Sequence, residues 1–387
     1  MVKWSDHSCR GRLRIDMGGS MIRTGALFRC LALAFTVPLL AEVEPPWPDP
    51  GPPSTRDFFP LNLVPLTYRP VGANTIGKGE WRFSFQVTRS NTFEFSDLIK
   101  DRLGRDTTGR ISVDRAGAEK FASSLPNEPL VFFFDAEIQR TEFSFRYGMT
   151  QNTDVAVTLG WQSIGGGFMD GLIEDFHKLG FEQTGRNAIA LNWLTIAIIQ
   201  KGQVIYFSQT PVRYRPMDPV LALIHRFYED SDLTLSFRGA LQIPATTFEG
   251  QYRSNWDSSA GLALQWRPTH NQAINGGIAY LRRGIRGGNG VNPFLIKDQI
   301  AGHLGWEWQG WLKMRPFLVL VYHDGLTSQG PGATLDKPAV NHDLGVHVRL
   351  SERVTLTFSY INNITHYENT SDMGLALRLA VRSATRK

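Results

Sequence analysis

Apolar residues recur at every second position in short runs spread along most of the chain. Leu233, Leu235, Phe237 and Leu241 alternate with Thr234, Ser236, Arg238 and Gln242; Val354, Leu356, Phe358 and Tyr360 alternate with Thr355, Thr357 and Ser359. A period of two sends the apolar side chains to one face of a strand and the polar ones to the other. A soluble antiparallel sheet shows the same alternation, so a second signal has to decide which solvent the apolar face meets. Connection lengths provide it. The pattern predicts strands at 79–89, 131–147, 153–162, 187–199, 203–209, 217–228, 231–242, 258–267, 272–282, 298–309, 312–323, 341–350, 353–362 and 373–382. Tight turns follow the even-numbered strands, and the long connections, 90–130, 163–186, 243–257, 283–297 and 324–340, follow odd-numbered ones.

Short periplasmic turns and long external loops are the grammar of outer-membrane barrels, and an even strand number returns both termini to the periplasm. The expected fold is therefore all-β: a transmembrane antiparallel up-and-down β-barrel of about fourteen strands, with a short helix in an external loop. Removing the nearly continuous apolar run 187–199 together with 203–209 leaves twelve and keeps the parity. Tyr147, Trp266, Trp306, Trp308 and Trp311 fall beside the short turns, where an interfacial girdle belongs.

Targeting signals agree. Arg23 and Arg29 precede the apolar run Cys30 to Leu40, and Ala41 offers a cleavage point, so residues 1–41 read as a secretory signal whose ordinary start would be Met17 or Met21. The run is too short to span a bilayer as a helix. Residues 42–58, with prolines at 45, 46, 48, 50, 52 and 53, read as an extended, solvated periplasmic leader. The barrel is expected over 59–387, in the outer membrane of a Gram-negative bacterium. The formal charge of +5 owes an excess of four to the signal, where Lys3, Arg10, Arg12, Arg14, Arg23 and Arg29 face Asp6 and Asp16. The remaining near-neutrality argues against nucleic acid as a partner. Cys9 and Cys30 both lie in the part expected to be removed, which excludes thiol chemistry. No phosphate loop or dinucleotide fingerprint is present, and no cofactor is expected.

Two constellations carry candidate chemistry. Arg82, Arg146, Arg238, Arg267, Arg349 and Arg378 fall at inward-facing positions; they either favour anions by their field or pair with acids such as Glu80, Glu142 and Glu307 to cross-link the wall. Loop 163–186 contains a helical pattern that places Phe168, Leu172, Phe176 and Leu179 on one stripe and Asp170, Glu174 and His177 opposite. An exposed apolar stripe needs cover, so the helix is expected to gate or plug the barrel mouth. The acidic face is either a solvated surface or a divalent-cation site. His303 and His347 point inward by this register, and Tyr322-His323-Asp324-Gly325 is the best remaining acid and base pair, a stretch that also reads as an Asp-Gly turn.

The stretches Phe59-Pro60-Leu61-Asn62-Leu63-Val64-Pro65-Leu66, Asn91-Thr92-Phe93, Asp135-Ala136-Glu137, Arg146-Tyr147-Gly148 and the loop motif Gly-Gly-Phe-Met-Asp-Gly-Leu-Ile-Glu-Asp-Phe-His (166–177) resemble a bacterial family of outer-membrane barrels, the domain of unknown function numbered thirty-one eighty-seven. The resemblance covers roughly residues 58 to 382. It implies location and fold and supplies no activity or catalytic residues; a barrel in that location is expected to have outer-membrane lipid and the barrel-assembly machinery as partners. The end of the chain departs from barrel custom in lacking a terminal aromatic. Three functions follow as expectations: a non-enzymatic channel for a small solute or hydrophobic compound gated by loop 163–186, a membrane-embedded lipid hydrolase near His323 or His177, or a closed structural or adhesive barrel.

Overall fold

The alternating runs form the wall of a closed barrel. The computed structural model describes residues 51–53, 55, 57–60, 63, 65–96, 113–128, 131–177, 190–245, 256–284, 296–326, 334–365 and 371–383. Its elements in chain order are β1 (Trp81–Phe95), α1 (Arg115–Ser123), β2 (Val131–Gly148), β3 (Thr153–Gly165), α2 (Met169–His177), β4 (Thr195–Gln200), β5 (Gln203–Ser208), β6 (Val212–Pro216), β7 (Val220–Glu229), β8 (Leu233–Gln242), β9 (Asp257–Thr269), β10 (Gln272–Arg282), β11 (Gln299–Trp308), β12 (Met314–His323), β13 (Ala339–Arg349), β14 (Val354–Thr365) and β15 (Met373–Arg382). Twelve of the strands, β1–β3 and β7–β15, each pair with the next, and β15 returns to β1 through a register running from Arg82 opposite Arg382 to Asn91 opposite Met373. The wall thus has the smaller of the two strand counts read from the sequence.

The pair expected at 187–199 and 203–209 exists as the hairpin β4–β5, but outside the ring. β4 pairs with Val131–Asp135 of β2, beyond Glu137, where the β2–β3 pairing stops. Strand β6, not expected from the sequence, pairs with the end of β3 across an irregularity at Gln162 and Ile164. These three strands extend the β2–β3 side past the rest of the wall.

Burial along the wall is inverted relative to a soluble sheet. Leu159, Leu262, Ile278, Leu304 and Phe358 are exposed, whereas Gln86, Ser236, Gln265, Asn275, Asp343 and His347 are buried. An apolar outer face is stable only against hydrocarbon, which excludes a soluble antiparallel sheet. On the same outer face Phe83, Phe85 and Trp161 gather around Phe143 at centroid distances of 6.1, 5.1 and 5.3 Å. Exposed Trp256, just before β9, and Trp266 within it mark the two edges of this band. Ten residues at about 3.4 Å each, tilted by about 40°, give an axial height of about 26 Å, close to the apolar band of outer-membrane barrels.

Tight turns join the strands at one end, where the ring also begins and ends at Trp81 and Arg382. The turn after β7 is clamped by Asp230, whose carboxylate accepts from the Leu233 N–H at 2.7 Å, the Tyr228 hydroxyl at 2.7 Å and the Asp232 N–H at 2.9 Å. These donors hold it below the usual carboxylate range. At the opposite end β1 and β2 run beyond the lipid band, and α1 covers the outer face of β2 there: Ala118 and Ala122 pack with Val131 and Phe133.

Candidate functional site

The lumen is occupied by the chain's own N-terminal segment. The described residues of 51–76 pair with no strand, so their backbone groups need other donors and acceptors. Inward-facing wall side chains supply them. Arg140 donates to the Leu63 carbonyl at 3.1 Å, Arg238 to the Arg69 carbonyl at 3.0 Å, Arg146 to that of Asn74 and Ser236 to that of Ala73. Asp257 accepts from the Leu66 N–H at 2.8 Å, and Asp154 from that of Ile76 at 2.9 Å. Since Asp257 opens β9 at the long-loop end and Asp154 opens β3 at the short-turn end, residues 66–76 run the height of the barrel. The proline-rich stretch expected to be a solvated leader is, where described, largely inside: Pro52, Pro53, Thr55 and Phe58 are buried, and Gly51 lies against Gly72. Its apolar residues find partners in the lumen that water does not offer.

The two ends of this segment meet different walls. At the long-loop end Phe59 sits among Phe132, Phe134, Ile198, Ile296, Leu326 and Leu335, edge-on to Phe134 at 5.3 Å. Phe58 and Leu63 pack on Ala136, Ile138 and Ile164. Arg140, fully buried, closes this layer with its guanidinium 5.1 Å from the Phe58 ring centroid. Lower down the Tyr68 hydroxyl meets His303 Nδ1 at 2.7 Å. Gly277 is the residue that leaves room for this pair, since a Cβ there would stand 2.8 Å from both the Tyr68 oxygen and His303 Cε1.

Beside the segment lies a cavity of about 600 Å³. Its lining changes along the axis. Leu66, Val220, Ala240 and Ala279 form the end nearer the long loops, and toward the short turns it is lined by arginine. Of the six inward arginines read from the sequence, Arg82, Arg146, Arg238, Arg267 and Arg378 line this cavity; Arg349 stands at the short-turn rim near Arg382. Arg69, Arg226 and Arg382 make eight lining arginines against Glu80 and Glu229. Some are paired, as the cross-linking reading requires: Arg146 with Asp154 at 2.6 Å, Arg69 with Glu142, Arg226 with Glu229 at 2.5 Å. Arg238 and Arg378 form no ion pair among the described residues, and the charges acting on Arg378 are those of Arg146 and Arg69, both positive. Cross-linking thus describes Arg146, Arg69 and Arg226, while Arg238 and Arg378 stand outside it.

The helix of loop 163–186 lies elsewhere. α2 is seated on the outward face of β1 and β2 beyond the lipid band. Glu137 accepts from the Phe168 and Met169 N–H groups at 2.6 and 2.8 Å and pairs with Arg89, whose guanidinium lies 4.1 Å from the Phe168 ring centroid. Gly167, at φ +66°, makes this approach feasible: a Cβ there would fall 1.8 Å from Glu137 Oε2. The apolar stripe expected to be covered is the exposed one, with Phe168 at 63% and Leu172 at 50%, while Met169 and Ile173 are buried. The helix period allows either face; what selects this one is Asp170, which is buried, accepting from Asn91 Nδ2 at 2.9 Å and the Asn192 N–H at 2.6 Å. Asp170 thus points away from the wet face on which it was expected beside Glu174 and His177. No group of three metal-ligating side chains occurs among the described residues; the side chains of Phe176 and His177, and all of Leu179, lie outside them.

His323 faces inward, its Nδ1 3.2 Å from the Asp324 carbonyl oxygen and its Nε2 3.8 Å from Asp57. Asp324 instead holds Tyr322 at 2.6 Å on the outer face. His347 bonds Thr357 Oγ1 at 2.8 Å. These contacts build the wall and anchor the segment; among the described residues none sets a hydroxyl nucleophile beside a base and an acid.

The family model described as protein of unknown function (DUF3187) matches residues 107–382. The chain belongs to this family. No curated protein matches the sequence. Among solved structures, an outer-membrane channel from Pseudomonas putida F1 is similar over 82% of this chain and 100% of its own, with a TM-score of 0.51 and 10% identity. The NanC porin is similar over 64% of this chain and 94% of its own, with a TM-score of 0.39 and 7% identity. The first likeness shows a shared fold; the second is too distant to carry an argument.

In this DUF3187 barrel the feature missed by sequence reasoning is the luminal segment, together with Tyr68 and Arg69 on it. A signal was present: Phe58, Phe59, Leu61, Leu63 and Leu66 make the stretch behind the prolines too apolar to remain in water.

Proposed function

We propose that the protein is a non-enzymatic channel for small solutes in the outer membrane of a Gram-negative bacterium, with its N-terminal segment, not loop 163–186, as the gate. The observation that carries this reading is the cavity between that segment and the wall. A barrel serving only as a scaffold has no use for a polar, arginine-lined chamber beside a strap that shares no strand ladder with it. The short turns support an orientation with the chamber toward the periplasm and the Phe58–Phe59 stopper toward the outside. The kinship in fold to an outer-membrane channel supports the same reading. The described residues of 51–76 are held by side chains, so they can leave without opening the sheet.

Single-channel recording in planar bilayers tests this. The intact chain should conduct weakly, and a chain lacking residues 51–76 should insert, remain heat-modifiable on gels and conduct at least tenfold more. The filling of the lumen favours a second reading, a permanently closed barrel. An intact chain that never conducts beside a conducting deletion would support that reading, and equal conductance of the two chains would reject the gate.

A further inference from the structure

The cavity is amphipathic along its axis, and its basic end contains charge that no ion pair among the described residues neutralises. Arg238 and Arg378 both line it, and the Nε atom of each is buried without a hydrogen-bond partner. Arg238 donates to the Arg69 carbonyl and lies beside Tyr68, and the wall acids Glu142 and Asp154 are held by Arg69 and Arg146. A desolvated guanidinium without a counter-charge is costly, and a carboxylate is the group whose two oxygens match its fork. A few ångströms toward the outside the lining turns to Leu66, Val220, Ala240 and Ala279. A bare inorganic anion leaves that end unused, and a neutral apolar molecule leaves the arginines unmatched. A volume of about 600 Å³ lies within the range of small-molecule sites.

We propose that the lumen binds an apolar carboxylate, with its carboxylate between Arg238 and Arg378 and its hydrocarbon body against Leu66, Val220, Ala240 and Ala279. This gives the proposed channel its solute class and therefore rests on that reading for its physiological meaning, but binding is measurable without transport. The full chain in amphipol is titrated by calorimetry with 4-phenylbutanoate, 4-phenylbutan-1-ol and inorganic phosphate, using protein-free amphipol as the blank. The carboxylate should bind saturably and at least tenfold more tightly than either the alcohol or phosphate. Arg378→Gln and Arg238→Gln should each weaken the carboxylate at least tenfold and leave the alcohol unchanged, and Arg378→Lys should recover part of the loss. Equal binding of alcohol and carboxylate would overturn the role of the arginines, and equal binding of phosphate that of the apolar end. The three-ligand comparison on the unaltered chain stands even where a variant fails to form a heat-modifiable barrel. Saturable binding together with a silent bilayer would reject the channel and keep the site; conductance without carboxylate preference would do the reverse.

Discussion

One strand, β2, crosses two chemical regimes, and its inward face records both. Above, Phe132, Phe134, Ala136 and Ile138 point inward and meet Phe58, Phe59 and Leu63; below, Arg140, Glu142, Ser144 and Arg146 occupy the same parity and meet carbonyls, carboxylates and the cavity. The outer face changes in step. Phe143 and Phe145 face lipid, whereas Val131 and Phe133 are covered by α1. Within the bilayer the strand is apolar outside and polar inside. Beyond it, both faces are buried and β2 behaves as a core strand of a water-soluble protein. The two stretches hold the N-terminal segment differently: the upper by apolar packing, the lower by hydrogen bonds to a chain that leaves a cavity beside it.

This contrast predicts where the segment is anchored. Phe59→Ala should cost about 3–5 kcal/mol of docking free energy, the usual range for removing a buried phenylalanine, whereas Arg238→Gln, which removes one hydrogen bond to a carbonyl, should cost about 1 kcal/mol. Hydrogen exchange of the backbone amides at 66–76 reads both. Similar protection loss in the two variants would mean that the stopper and the chamber contribute alike, and the comparison would break.

The membrane part of the wall makes the next largest prediction. Leu262→Arg, on the lipid face of β9, should destabilise the barrel by about 2–4 kcal/mol, and Ser259→Arg, three residues away and facing the cavity, by far less. Midpoints of urea unfolding in detergent micelles give the ranking. Reversed order would exchange inside and outside.

How much of this was legible in the sequence follows from the same division. Where strands border lipid, period two has a single interpretation, and Leu233–Gln242 and Val354–Tyr360 form strands on the faces read from them. Inward Arg146, Arg238 and Arg378 followed from that register. Above the bilayer the rule loses its meaning, because a strand buried on both faces, such as Thr195–Gln200, shows a continuous apolar run that also suits a wall strand. α2 failed for a related reason: Met169, Ile173, Phe168 and Leu172 offer two apolar stripes, and the choice between them depends on Asn91 and Glu137, distant in sequence. Residues 51–80 have no periodicity at all. Only their apolar content hinted that they needed a lumen.

The external stretch of β2 also predicts a smaller effect on α2. Glu137→Gln should weaken the two caps and the pairing with Arg89, costing about 1–3 kcal/mol locally. Faster amide exchange within Met169–His177 with an unchanged conductance would fit a helix latched outside the lumen. A change in conductance would return loop 163–186 to the gate.

The smallest effect belongs to the junction of the two regimes, where Tyr68 meets His303. Tyr68→Phe keeps the ring, which packs with Leu66, Val220, Ala279 and Leu281, and deletes only the hydroxyl that meets His303 Nδ1. One such hydrogen bond contributes about 0.5–1.5 kcal/mol, so urea stability should fall by no more than that. Kinetics should be more sensitive than stability, because the segment spans the lumen and this bond lies between its packed end and its hydrogen-bonded end. Brief openings should therefore become more frequent in single-channel records of Tyr68→Phe while the size of the open-state current stays the same. An altered current with unchanged opening frequency would show that Tyr68 lines the conducting path in the open state and does not fasten the strap.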